Sequence, residues 1–237
     1  MALRKDALPP VPRWVWIFPA VFVLLIAAAA IWLRGFYAQY QTYTYRYRMT
    51  VNVQVGTQIH SGSSVIEVRL RQTPKLLYED LSLVPSAVGE AVFVDLGGSR
   101  NVVALLTSGP AGLGAGYPMA VVPRHFGLTH EDRDLPRFPN LKGTWTLPPA
   151  DMPTLVTFAR PDDPATARVI APSEFERVFG PQYRLQDVTV EMTTDPVTSG
   201  IELRLPWLKE RISKRLGGTI NTQPGVFVPN VPYFERT

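Results

Sequence analysis

Residues 14 to 33, WVWIFPAVFVLLIAAAAIWL, are twenty consecutive residues without a charge. As a helix they would rise about 30 Å, the thickness of a bilayer's hydrocarbon core, so the first expectation is a transmembrane helix over residues 14–34. Trp14, Trp16, Trp32 and Tyr37 stand at its two ends, where amphipathic rings prefer the membrane interface. Pro19 lies in the first turns, where it bends a buried span without breaking it. Arg4, Lys5 and Arg13 followed by Ala27 to Ala30 also fit a cleavable leader. The run continues through Ile31-Trp32-Leu33 past the alanines, longer than a leader's apolar region, and this favours a retained anchor. Basic residues flank the span almost equally, so orientation follows from the short tail: residues 1–13 in the cytoplasm, the large domain outside.

Charge then excludes one class of partner. The whole chain carries a net +4, but residues 1–34 hold four of its 24 basic and one of its 20 acidic residues, leaving 20 against 19. A domain so balanced has no broad phosphate-binding footprint, and no nucleic-acid partner is expected. The absence of cysteine excludes disulfides, cysteine metal sites and a thiol nucleophile.

Beyond the anchor the pattern is that of strands. In YQTYTYRYRMTVNVQV, residues 40–55, Tyr43, Tyr45, Tyr47, Met49, Val51, Val53 and Val55 alternate with Thr44, Arg46, Arg48, Thr50, Asn52 and Gln54. Rings that share a face with Met and Val belong to a core, so this is a half-buried strand and not a base-stacking platform. It turns at Gly56-Thr57-Gln58 and returns through Ile66, Val68 and Leu70, with Glu67 and Arg69 expected on the solvated face. A second hairpin turns at Gly97-Gly98-Ser99. Met119–Pro123, Thr154–Ala159, Arg184–Met192 and Gly200–Leu205 are further strand candidates.

Two short helices are expected. SEFERVFG has Ser173 as N-cap with Glu176 completing a capping box, and WLKERISKRLGG aligns Leu208, Ile212 and Leu216. Residues 217–237, with Pro224, Pro229 and Pro232, read as an extended C-terminal tail. The expected architecture is mainly β: a transmembrane helix, an antiparallel sandwich-like domain over residues 35–216, then the tail.

Signals for chemistry are weak. His125 and His130 lie five apart beside Glu131 and Asp132, a crowd of ligand types without helical metal spacing or a calcium-loop pattern. His60 adjoins Ser61, Ser63 and Ser64 without a nucleophile elbow. SGPAGLGAGYP lacks the Lys-Ser/Thr of a phosphate loop. No cofactor is expected. Trp207, Phe227, Tyr233 and Phe234 are candidates for docking a partner.

Through TVEMTTDPVTSGIELRLPWL, YRYRMTVNVQV, SGSSVIEVR and GEAVFVDLGG the chain resembles a family of bacterial proteins with one N-terminal span and no assigned activity, over most of residues 40–208. DPVTSGIELRLPWL is the most specific piece. The resemblance implies a bacterial, membrane-tethered protein and carries over no functional residue. The combined expectation is a single-pass protein of the bacterial cytoplasmic membrane, anchored in lipid through residues 14–33. Its periplasmic domain would be a non-enzymatic interaction or structural module among envelope proteins. The rival reading is a tethered hydrolase or metal-dependent enzyme using His125 and His130.

Overall fold

The computed structural model describes residues 14–38, 40–74, 82–108, 114, 116–209 and 234–236, without side chains for 14–20, 38, 235 and 236. The chain divides into two units, residues 1–41 with 72–82, and residues 42–71 with 83–237. In the first unit helix α1 runs Trp14–Ala38. Its side chains from Val21 to Leu33 are exposed, Ile31 by 74% and Trp32 by 68%. Among the residues described in full, no helix is long and apolar enough to cross a membrane, and α1 contributes only Val21 to Tyr37 to that set. The span over 14–34 therefore stands as a reading of the sequence. The first unit also holds Gln41 and Gln72 together, Gln72 N donating to Gln41 O at 3.0 Å.

The second unit is built from two antiparallel sheets and a few short helices. Its strands are β1 (Thr42–Val55), β2 (Gln58–Gln72), β3 (Leu83–Glu90), β4 (Val92–Gly97), β5 (Arg100–Ser108), β6 (Thr144–Thr146), β7 (Pro153–Phe158), β8 (Ala167–Ile170), β9 (Tyr183–Met192) and β10 (Glu235–Arg236). The six-stranded sheet has the order β10-β3-β2-β1-β9-β6, and the four-stranded sheet the order β4-β5-β7-β8. Only Ala91 separates β3 from β4, so the chain changes sheets there. At this corner the two backbones touch. A Cβ on Gly62 of β2 would lie 2.9 Å from the carbonyl carbon of Phe93 in β4, and nearer still to its oxygen.

Both expected hairpins form. Val55 pairs with Gln58 around Gly56, whose φ of 61° suits glycine. Gly97 pairs with Arg100 around Gly98 and Ser99, both at positive φ, as a twist-compatible two-residue turn requires.

The period-two pattern of β1 is realised directly. Tyr45, Tyr47, Met49, Val51 and Val53 are buried against residues of both sheets. Each such side chain contributes on the order of 2 kcal/mol at most. By contrast β5, NVVALLT, is buried at every residue because it has core on both faces. Val102, Ala104 and Leu106 face the shared core. Val103 and Leu105, with Val156 and Phe158 of β7, face a second cluster of Ile201, Leu205, Trp207, Leu208 and Phe234.

Three sequence expectations are corrected. Met119–Pro123 lies inside helix α2 (Tyr117–Phe126), which ends at Gly127 with φ 61°. Its apolar run packs one side only, and Pro123 removes the N–H that Met119 O would receive; the Tyr45 hydroxyl lies 3.5 Å from that oxygen. Gly200–Leu205 is no strand: Ile201–Leu203 is a 3-10 turn entered through Gly200 at φ 115°. Glu67 is 4% exposed and not solvated, because its carboxylate is held by Arg46 and Arg69.

The expected helix at SEFERVFG forms as a 3-10 turn, Pro172–Glu174, followed by α3 (Phe175–Phe179). Its cap falls earlier than Ser173: Ala171 N donates to the Glu174 carboxylate at 2.8 Å. Residues 210–216 of the second expected helix, and 217–233 of the tail, lie outside the described residues. The end of the tail belongs to the fold, with Phe234 fully buried and Glu235–Arg236 paired to β3.

Candidate functional site

The outer face of the six-stranded sheet carries the largest set of joined ionic groups described. Register places Arg46 opposite Glu67, Arg48 opposite Glu191, and Asn52 between Ser61 and Asp187. Arg46 Nε and Nη2 each lie 2.7 Å from Glu67 Oε2, and Arg69 Nε and Nη2 lie 2.6 Å from Oε1. Burial alone would raise the Glu67 carboxyl, but hydrogen bonds and charge from Arg46 and Arg69 outweigh it and hold it below the usual range.

Residues 193–200 cover that face as a strap. Thr193 N donates to Arg46 O at 3.1 Å, and Arg46 Nη1 holds the carbonyls of Thr194 and Asp195 at 3.3 and 3.2 Å. Arg48 pairs with the carboxylates of Asp195 and Glu191. Further on, Val65 N donates to Thr198 Oγ1 at 2.8 Å and Ile201 N to Glu90 Oε2 at 2.8 Å. The strap thereby crosses from β9 over β1 and β2 to β3, and Glu67 is buried beneath it. The segment DPVTSGIELRLPWL is this strap and its continuation onto the outer face of the second sheet.

Where the strap leaves β9, an open cleft of about 540 Å³ lies between β1 and residues 139–142, lined by Thr44, Arg46, Leu141, Lys142, Met192 and Thr194 among others. Its size is that of a ligand-binding cleft, and it combines hydroxyls, two cations and an apolar wall. Sequence reasoning had no access to it, because it depends on where β9 stops along β1.

The residues singled out from the sequence go to other places. His125 is exposed and stacks on Trp145, with centroids 4.0 Å apart and planes 2° from parallel. His130 lies 6.0 Å from the Phe138 ring, and burial lowers its pKa. Glu131 pairs with Arg133 at 3.0 Å, and Asp132 is exposed. The loop is organised by a different acid, Asp134, which accepts from Thr129 N and Oγ1 at 2.9 Å and pairs with Arg137. Among the described residues no group of three or more His, Cys, Asp or Glu is placed to hold a metal.

His60 Nδ1 lies 2.9 Å from Asp95 O, while Ser61 donates to Asn52 Oδ1 and Ser64 to Glu90 O. None of these serine hydroxyls is held on the imidazole. Trp207 and Phe234 meet edge to face at 5.2 Å inside the second core cluster, so neither offers a free ring to a partner. Phe227 and Tyr233 lie outside the described residues, as do the side chains of Trp14 and Trp16.

No family model, curated protein or solved structure matches this chain.

Proposed function

We propose that the protein is a single-pass, membrane-anchored interaction module without catalytic activity, its two-sheet domain on the periplasmic side of a bacterial cytoplasmic membrane among other envelope proteins. Lipid contact falls to residues 14–33, a reading supported by their uncharged run and by the helical course of Trp14–Ala38. The observation that carries the non-catalytic part is the engagement of the domain's polar groups. Arg46, Arg48, Glu67, Arg69, Glu191 and Asp195 bind one another to fasten the strap. The His125 ring lies against Trp145, and Ser64 is bonded to main chain. Groups held this way position structure; they do not converge on a reacting centre.

Protease treatment of spheroplasts, following both termini and the mass of the mature chain, tests the proposal. Full-length protein whose domain is digested from outside supports it. A domain protected until the membrane is lysed refutes the periplasmic placement, and a chain shortened near residue 30 refutes the anchor.

A further inference from the structure

β1 is longer than its neighbour on one side. It pairs with β2 down to Thr42 opposite Arg71, but with β9 only from Tyr47 opposite Met192. After the Thr193 N to Arg46 O bond, the chain bends away, with Asp195 N on Thr193 Oγ1 at 3.2 Å. Peptide groups along an antiparallel strand point alternately to the two sides. Because Arg46 O faces the β9 side, the N–H and C=O of Thr44, two residues earlier, face it too. On that side β9 no longer runs beside them.

Beyond β9 the sheet continues. Met192 N donates to Gly143 O at 2.9 Å, so the backbone around residue 143 extends the line of β6 on the far side of β9. Strands lie about 4.8 Å apart, so the departure of β9 leaves a slot one strand wide between Thr44 and Leu141-Lys142. This slot is the 540 Å³ cleft.

Its surroundings are positive. Arg69 and Arg71 lie opposite Thr44 and Thr42 on β2, and Arg46 and Lys142 line the cleft. Even counting Arg48, five cations face three carboxylates: Glu67, Glu191 and Asp195. Lys142 and Arg71 have no ionic partner among the described residues.

We propose that this slot receives an extended acidic peptide segment of a partner protein, which adds as a strand to the edge of β1 at Thr44 and meets Lys142 and its neighbours with its carboxylates. The proposal rests on the interaction-module reading and names its partner class. Main-chain pairing supplies affinity, and the basic rim selects acidic sequences.

The test uses full-length protein in uncharged detergent micelles and three fluorescein-labelled heptapeptides alternating valine with glutamate, serine or lysine. Fluorescence polarisation is expected to rank glutamate above serine above lysine, with roughly tenfold or more between the extremes. Methylating alternate amide nitrogens of the glutamate peptide should abolish its binding. Thr44→Pro should do the same with unchanged melting, because the N–H it removes faces the slot and not β2. Lys142→Glu, which leaves four cations against four carboxylates, should abolish the preference for the glutamate peptide over the lysine peptide. Failure of the glutamate peptide to bind, or binding indifferent to methylation and to Thr44→Pro, overturns the proposal. So does a protein that ignores all three peptides yet binds phosphatidylglycerol vesicles through Lys142, which would assign the cleft to lipid headgroups. Micelle binding is independent of membrane orientation, so this result and the spheroplast result fail separately.

Discussion

Substituting Gly62 by alanine should be the most damaging one-carbon change in the domain. Its φ is ordinary, so backbone freedom is not the issue; space is. The new Cβ would lie 2.9 Å from the Phe93 carbonyl carbon, closer to its oxygen, and 3.1 Å from Val94 Cγ2, where real Cβ atoms keep at least 3.0 Å. Neither backbone can give way cheaply. Gly62 is tied to Val51 in one sheet, and Phe93 to Val103 in the other. Overpacking usually costs about 1–3 kcal/mol, and two pinned main chains put this case near about 3 kcal/mol. For a domain of this size that lowers Tm by roughly 6–12 °C. Urea unfolding in uncharged detergent, followed by tryptophan fluorescence, should show a lower midpoint at unchanged slope. Gly116→Ala is the control, because its Cβ meets nothing within 4 Å; as the N-cap of α2, where glycine is preferred over alanine, it should cost under about 1 kcal/mol. A Gly62→Ala protein within about 0.5 kcal/mol of wild type would mean that the sheets do not meet in backbone contact at this corner.

Glu67→Gln should cost about 2 kcal/mol, measured by the same unfolding assay, since it leaves two guanidinium groups facing a neutral amide. Because the folded Glu67 carboxyl is held below its ordinary value, its contribution is present above the unfolded carboxyl range and is lost as pH falls through the folded value. The variant should therefore show a shallower loss of stability on acidification, and parallel pH curves would refute the assignment. Asn101→Ala should cost about 3 kcal/mol, because the Asn101 amide bonds both Phe158 O and Phe158 N at 2.9 Å and its removal orphans two buried groups. Tyr47→Phe should cost about 1–2 kcal/mol by thermal melting, through loss of the 2.9 Å bond to Pro118 O in a fully buried site.

Both hairpins were legible because turn chemistry and alternation agree there: Gly56 and Gly98 take the positive φ their turns need, and the apolar residues of β1 all face the core. Met119–Pro123 misled because a short apolar run suits a strand or one face of a helix equally, and only packing beneath β1 decides between them. Gly200–Leu205 misled because Glu202 and Arg204 imitate a half-solvated strand, whereas the segment is a turn whose Ile201 N is captured by Glu90, 111 residues away. Of the candidate site, Arg46, Arg48 and Glu67 were visible as alternating charges on strands, but no sequence rule states which arginine meets which acid.

The sequence by itself determined what is local: a run of twenty uncharged residues, strands whose two faces differ, and turns at glycines. Tertiary structure decided everything that depends on register and on where elements end. The strap buries Glu67 because residues 193–200 happen to cross over it, and the Trp207 and Phe234 rings are core because the second sheet needs covering on its outer face. The cleft exists because β9 stops five residues before β1 begins. Alternation repeats every two residues and so specifies faces, but it is indifferent to which strand lies alongside and how far the pairing runs.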